Sequence, residues 1–553
     1  MTIAPTNQRR APLRIALLVD SFFQRRWIAK IINEIESSSI AEIVLIIKNQ
    51  TTSESKPRLK SYWQNRQYLL YALYARFDEF RVKVGDDAFE PVDIKPLVSS
   101  ADVIEVQPTM TKYSDTIAAE DIETIRHYDI DVALAFGFRI LKGEILTVPR
   151  FGVWSYHHGD NLVNRGGPPC FWEVMQGAPV TGSILQVLTE DLDNGSVIYR
   201  SWSPTADRFS VKANRNNLYW KSSSFVMRKL RDLAQHASLC SAEDKLYQPY
   251  SAPLYKTPKN RELFPLLFRL SSKYVLHKIA DAVSYDQWML AYRFTSGAAD
   301  ANNSFHRFKF LIPPKDRFWA DPFPVKNDNQ YYVFFEEYSY KAGKGHISVI
   351  GLDRNGIVEG PTTVLSKDYH LSYPFMFEWE GSHYMLPESA GNKTIELYRC
   401  TRFPTEWQLE AVLMNNVRAK DTTLFEKDGK WWMFVTIAEN TVPDELSIFY
   451  ADSPIGPWNA HPRNPVKSDV RSSRPAGRLF YWNGDLYRPA QDGSERYGYA
   501  ISLNRVTQLD CANFSESEAS KISPLWRKNL KGTHTLNTAD NLTVVDCLTS
   551  RLR

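Results

Sequence analysis

A repeat in the second half of the chain most constrains its fold. The segments NDNQYYVFFEE, WEGSHYMLPE, KDGKWWMFVT and WNGDLYRPAQ align on one turn residue each: Asn329, Gly381, Gly429 and Gly484. The spacings are 52, 48 and 55 residues, and a weaker copy, TADNLTVVD, places Asn541 a further 57 on. The copies read as short strands separated by turns. A period near 50 built this way is the pattern of propeller blades, so five copies predict a five-bladed β-propeller over 306–553. Tyr332, Tyr384, Trp432 and Tyr487 share one position in the repeat, expected as a packing layer between blades. This layer accounts for much of the 13% aromatic content.

The same alignment selects polar residues. Eight positions before each turn residue stand Asp321, Tyr373, Asp421 and Ala476; seven after it stand Glu336, Glu388, Thr436 and Gln491. Innermost strands of a propeller line its axis, so equivalent positions of different blades converge there. Arg474, two residues before its blade's equivalent position, and His534 in GTHTLN would join them. The candidate set is therefore Asp321, Glu388, Asp421, Arg474, Gln491 and His534, a polar pocket whose paired carboxylates suit glycoside chemistry. One His makes no metal site, so no bound metal is expected.

The first half reads differently. LRIALLVD at 13–20, an amphipathic stretch Phe23–Ile35 and AEIVLIIK at 41–48 form strand, helix, strand, a parallel βαβ unit. EDIETIRHYDI reads as a helix and DVALAFGF at 131–138 as a central strand, giving a doubly wound α/β domain over 12–240 behind a disordered tail, 1–11. No G-x-G-x-x-G follows the first strand, which weakens a dinucleotide reading. Ser155–Gly167 is expected as a loop after the strand Gly152–Trp154, at the strand end where open α/β sheets carry ligands. It combines Gly and Pro with His157, His158 and Asp160, a mix ill suited to packing alone.

The block FGFRILKGEIL, FGVWSYHHGDNLVNRGGPP and TGSILQVLTEDLDNGSVI resembles the folate-dependent formyltransferases, over about residues 12–235. The resemblance implies an N10-formyltetrahydrofolate donor beside Phe136, Gly137, Phe138, Arg139 and Asp191. It places catalysis on Ser155, His157 and Asp193, with the substrate at His158, Arg165 and Gly166. Formyl transfer to an amine passes through an oxyanion that needs donors, and an imidazole can shuttle the proton. The family's Asn position holds Ser155 here, and losing an oxyanion donor can cost about 10²–10³ in rate. The second half resembles the five-bladed propeller glycosidases, whose catalytic Asp-Pro dipeptide is matched by Asp321-Pro322. It is also similar to the propeller ahead of the glycosyltransferase domain in plant glucosaminyl inositolphosphorylceramide transferases. In the glycosidases the second blade supplies an Asp and the third a Glu, where this chain has Tyr373 and Asp421.

Between the halves, 241–305 is expected as a helical connector with two short amphipathic helices, LFPLLFRLSSKYVLHKIADAV and YDQWMLAYRF. A net charge of +4, from 67 Lys+Arg against 63 Asp+Glu, argues against a nucleic-acid partner. The most apolar stretch, Leu263–Ala280, is broken by Arg269, Lys273 and Lys278, so no membrane span is expected. Five scattered cysteines suit a reducing cytoplasm, and oligomeric state is not legible. Three functions remain open. One is formyl transfer to a sugar or sugar nucleotide with the propeller gripping the glycan. Another is a propeller carbohydrate-active enzyme with a degenerate formyltransferase domain. The last is a non-catalytic carbohydrate-binding protein.

Overall fold

The computed structural model describes residues 12–51, 66–163, 165–190, 195–236, 239, 253–295, 305–438 and 443–553. The chain forms two compact units, one running to Ser201 and resuming over Asp207–Ser272, the other taking Trp202–Ala206 and Lys273–Arg553.

In the first unit, strand β1 (Leu13–Val19) is apolar and buried from Ile15 to Val19 because both its faces are covered there. Ile15, Leu17 and Val19 pack with Ile28, Ile31 and Ile35 of helix Arg26–Glu36. Ala16 and Leu18 pack with Ile122 and Ile125 of helix Ala119–Arg126 on the other side. The sheet continues with β2 (Ala41–Asn49), β3 (Asp102–Val106), β4 (Val132–Ala135), β5 (Val153–His157), β6 (Val180–Val187) and β7 (Ser196–Pro204). Its order is β7-β6-β5-β4-β1-β2-β3. Pairing is parallel from β5 to β3 and antiparallel between β5 and β6. Sequential strands that step outward from β1 in both directions leave a crevice at their carboxyl ends.

Past the end of a helix at Val283 the second unit is built of strands, with five antiparallel sheets among the described residues, as many as the repeat has copies. Each begins with a hairpin closed by two residues: Asn327 faces Gln330, Trp379 faces Ser382, Lys427 faces Lys430, Trp482 faces Asp485 and Ala539 faces Leu542. The first turn residue is left-handed every time, with φ of 53° at Asp328, 48° at Glu380, 55° at Asp428, 51° at Asn483 and 51° at Asp540. Such turns match the strand twist and favour Asn, Asp and Gly, which explains why the turn was readable. Tyr384, Trp432 and Tyr487 are buried in apolar clusters, with Tyr332 partly buried against one of them.

Two expectations fail. Tyr285–Phe294 is not a helix: Ser284–Phe294 is a strand paired antiparallel along its whole length with Leu542–Leu552, so the fifth sheet joins the two ends of this unit. Its buried run from Gln287 to Tyr292 is apolar on both sides because it is a central strand, and periodicity does not distinguish that from a short buried helix. The preceding stretch is one helix, Asn260–Val283. The expected loop at 155–167 also shortens, because β5 runs on to His157 and pairs it with Ile184.

Candidate functional site

The inner strands of the first three sheets carry the same irregularity. The ladder slips between Ala320 and Phe323, Ser372 and Phe375, and Lys420 and Thr423. The inserted residue is left-handed each time: φ is 51° at Asp321, 43° at Tyr373 and 52° at Asp421. A bulge re-aims a side chain, and repetition in three sheets turns three side chains toward one centre.

At that centre the sheets are joined by hydrogen bonds. Thr535 Oγ1 donates to Asp321 Oδ1 at 2.8 Å, and the Tyr373 N–H donates to Asp321 Oδ2 at 3.2 Å. The Asp321 N–H donates to Asp546 Oδ2 at 3.1 Å, while Asp546 Oδ1 accepts from the His534 and Thr535 N–H groups at 2.8 and 3.0 Å. His534 Nδ1 lies 2.6 Å from Asp546 Oδ2 and its Nε2 lies 3.5 Å from Asp321 Oδ1. Asp421 accepts from Arg474, whose Nη2 is 3.2 Å from Oδ1, and from Gln491 Nε2 at 2.6 Å. Arg474 Nη2 also stands 3.7 Å from Glu388 Oε2, while Lys420 holds the other Glu388 oxygen. Half-exposed Tyr497 lies with its ring 5.1 Å from the Arg474 guanidinium and 5.4 Å from His534.

Burial among like charges controls protonation. It pushes Asp321 up to about 6, opposed by His534 and reinforced by Asp421 and Asp546. Glu336 is raised well above its ordinary value, by burial first and then by Asp321, Glu388 and Asp421. Burial alone would lower His534, but Asp546 and Asp321 more than offset it and the ring titrates above its ordinary value. Burial, with Lys420, takes His370 down to about 4, which leaves a neutral imidazole 3.5 Å from Glu336.

All six residues selected from the second half thus share one neighbourhood. Alignment also placed Glu336 there, but Asp546 and Thr535 were missed. Asp546 has a signal: it stands where the other copies carry Phe334, Leu386, Phe434 and Pro489. The expectation of no metal set rested on His534 alone. The structure adds two carboxylates, so that Asp321, His534 and Asp546 offer ligand atoms within 4.8 Å of one another. The two carboxylates raise the His534 ring above its ordinary value, so a cation there would compete with the ring's proton. Tyr373 does not act as a carboxylate substitute. Its fully buried phenol is 2.8 Å from Thr423 Oγ1 and accepts the Gly477 N–H at 2.8 Å, filling space between the sheets. Arg478, also unforeseen, donates to the Met376 and Pro324 carbonyls and so ties three inner strands together.

In the first unit a cleft of about 500 Å³ brings Ser155, His157, Phe136, Phe138 and Arg139 together. Ser155 and His157 lie two apart on β5 and share a face. The size suits a small-molecule ligand. Several assignments change. Arg139 is committed to buried Asp115, with Nε–Oδ1 at 2.9 Å, and to the Thr111 and Ser114 carbonyls. Gly137 is needed for packing, since a Cβ would lie 2.1 Å from the Asp20 nitrogen. His158 lines the same cleft with its ring largely buried. It stacks 3.5 Å from Tyr219 with Nε2 3.0 Å from Ser222 Oγ, and burial, then His157 and Arg25, keep it neutral. Arg165 and Gly166 pair in parallel with Leu254 and Tyr255 and do not line the cleft. Gly166, at φ 81°, leaves its Cβ space to the Tyr255 oxygen. Asp191 and Asp193 lie outside the described residues.

An α/β unit followed by a unit of antiparallel sheets with a carboxylate–guanidinium centre describes a multidomain protein. Comparison with known proteins agrees at that level. Residues 312–545 match the family described as Glucosamine inositolphosphorylceramide transferase 1, N-terminal. The chain is similar to Glucosamine inositolphosphorylceramide transferase 1 of Oryza sativa subsp. japonica, 38% identical over 225 residues, covering 38% of this chain and 30% of that protein. The chain therefore spans about a third of the length of the curated relatives it matches. It is also similar to methionyl-tRNA formyltransferase of Prochlorococcus marinus subsp. pastoris, 27% identical over 108 residues, covering 20% of this chain and 33% of that one. Among solved structures, Zg3597, a family 117 glycoside hydrolase of Zobellia galactanivorans, covers 48% of this chain and 90% of its own at 13% identity, with a TM-score of 0.32.

Proposed function

We propose that this chain is a carbohydrate-active protein whose second unit binds a sugar-linked substrate at the centre formed by Asp321, Glu336, Glu388, Asp421, Arg474 and His534. In this reading the five sheets are the blades of a five-bladed β-propeller and the centre lies on its axis. One observation carries it: repeat-equivalent positions of separate sheets converge on a single charge network. Carboxylates and a guanidinium match the paired hydroxyls of a sugar, and the exposed Tyr497 ring offers a stacking face. Glu336, whose carboxyl burial raises well above its ordinary value, stands with Glu388 and Asp421, and carboxylates in unlike environments are the groups glycosyl chemistry uses as acid and base. Tyr373, filling a position that carries a carboxylate in the glycosidases, favours binding or transfer over ordinary hydrolysis. The relatives' name supports a sugar carried on a phosphosphingolipid as the substrate class.

Formyl transfer is the subordinate reading, with N10-formyltetrahydrofolate in the cleft of the first unit. Ser155 and His157 facing Phe136 and Phe138 support it, while the engagement of Arg139 by Asp115 removes one anion contact from it. A cytoplasmic location remains part of the proposal, supported by the free thiols of Cys170, Cys400, Cys511 and Cys547, the four cysteines among the described residues. The test is a glycan array with the labelled full chain, then titration of any ligand found against Arg474→Met and Asp421→Asn. Binding should weaken by about tenfold or more on losing a buried charged contact. A chain that binds no glycan, or variants that bind as the parent does, would overturn the reading. Titration with a reduced folate tests the cleft separately, and absence of saturable binding removes the donor.

A further inference from the structure

Helix Leu69–Arg81 and helix Asn260–Val283 are apolar on two opposite faces. Their inner faces meet: Leu70, Tyr71 and Tyr74 share a cluster with Leu263, Leu266 and Leu267 over Phe171, and the Leu70 N–H donates to Asn260 Oδ1 at 2.9 Å. Fold stability explains that face. It does not explain the other one.

On the first helix Leu69, Leu73, Phe77 and Phe80 form a stripe at spacings of four, four and three, pointing outward. On the second, Phe264, Phe268, Leu276 and Ile279 form another. The four Phe rings are between 61% and 86% exposed. Single exposed apolar residues need no explanation, but aligned stripes on paired helices mark a binding surface.

Charge identifies the partner. The two helical stretches, Arg66–Arg81 and Asn260–Val283, hold seven Lys and Arg against four Asp and Glu, an excess of three in a chain whose total is +4. Two of the four acids are already engaged: Asp78 by Arg81, and Glu79 by Lys212 and Arg215. Arg76, Arg261, Arg269 and Lys273 form no ion pair among the described residues. Residues 273–283 are exposed on every side, so this part of the helix forms no groove for a peptide. Exposed Phe and Leu beside unpaired Arg and Lys is the composition of helices that lie in the headgroup region of an anionic bilayer. No described helix is long and apolar enough to cross a membrane.

We propose that this paired-helix face docks on the surface of an anionic lipid bilayer, with the Phe and Leu stripes in the acyl boundary and the arginines on the headgroup phosphates. This goes beyond the sugar-binding reading and does not rest on it.

The test is cosedimentation of the full chain with vesicles of phosphatidylcholine alone and with added phosphatidylglycerol. The chain should pellet with the anionic vesicles, less so at high salt. Phe77→Gln/Phe80→Gln/Phe264→Gln/Phe268→Gln and, separately, Arg261→Gln/Arg269→Gln/Lys273→Gln should each lower partitioning by about tenfold or more. All these side chains except Lys273 belong to the first unit and none is a member of the sugar centre, so glycan binding and thermal unfolding should stay at parent values. Equal pelleting by parent and both variants, or no pelleting of the parent, overturns the proposal. So does a dimer by light scattering that the phenylalanine variant dissociates without any vesicle binding, which would assign the face to a second copy.

Discussion

Replacing Asp321 by Asn isolates the electrostatics of the charge network. Asn can keep both contacts of the carboxyl, with its oxygen accepting the Tyr373 N–H and its amide donating to Thr535 Oγ1. What changes is the titration. The Asp321 carboxyl sits at about 6 in the fold against an ordinary value of 3.8, a rise of roughly 2. A carboxyl raised on folding contributes stability while it is protonated. That contribution is fully present below about 4 and is lost as pH rises through about 6. At 1.36 kcal/mol per unit the loss is about 3 kcal/mol, an upper figure because His534 titrates with it. Asn has no proton to lose. Relative to the parent, Asp321→Asn should therefore gain about 3 kcal/mol between pH 4 and pH 8, most of it before pH 7. Urea unfolding of the full chain, followed on the transition of the second unit, reads this as a midpoint difference that grows by roughly 1 M over that range. Any constant cost of the amide cancels in the comparison. A difference that stays flat with pH, or grows in the acid direction, would refute the reasoning.

Tyr373→Phe leaves the buried Thr423 hydroxyl and Gly477 N–H without the phenol. It should cost about 1–3 kcal/mol, seen as a midpoint lowered by roughly 3–8 °C in thermal unfolding. An unchanged midpoint would mean that the phenol contributes nothing there. Arg488 is fully buried between Glu516 and the Ser472 and Ser473 carbonyls, so Arg488→Met strands the carboxylate with Lys467 alone. A loss of about 3–5 kcal/mol is expected in chemical denaturation. If Glu516→Gln in the same background does not recover part of it, the buried charge is not the cause.

The parts legible in the sequence were those set by short-range rules. Asp-Asn, Glu-Gly, Asp-Gly and Asn-Gly turns recur because each hairpin closes through a left-handed first residue, followed by a left-handed Gly in three of the five, and few side chains tolerate that conformation. Counting from those turns located Asp321, Glu388, Asp421 and Gln491, since strand period and blade length preserve position. The same local logic misled at Tyr285–Phe294, where a central strand and a buried helix look alike over ten residues. It also misled at His158, whose Gly- and Pro-rich setting resembled an exposed loop although the ring stacks on Tyr219, 61 residues away in the chain.

By itself, the sequence determined that one half is an open α/β sheet and that the other consists of repeated antiparallel sheets, because periodicity and turn chemistry act within a few residues. Tertiary structure alone decided which groups share charge. Asp321 and Thr535 are 214 positions apart and Asp421 and Gln491 are 70 apart, yet each pair makes one hydrogen bond in a buried centre. Electrostatic coupling depends on distance in space and on the exclusion of water. The raised titrations of Glu336 and His534 and the anchoring role of Asp546 therefore arise only when the sheets come together.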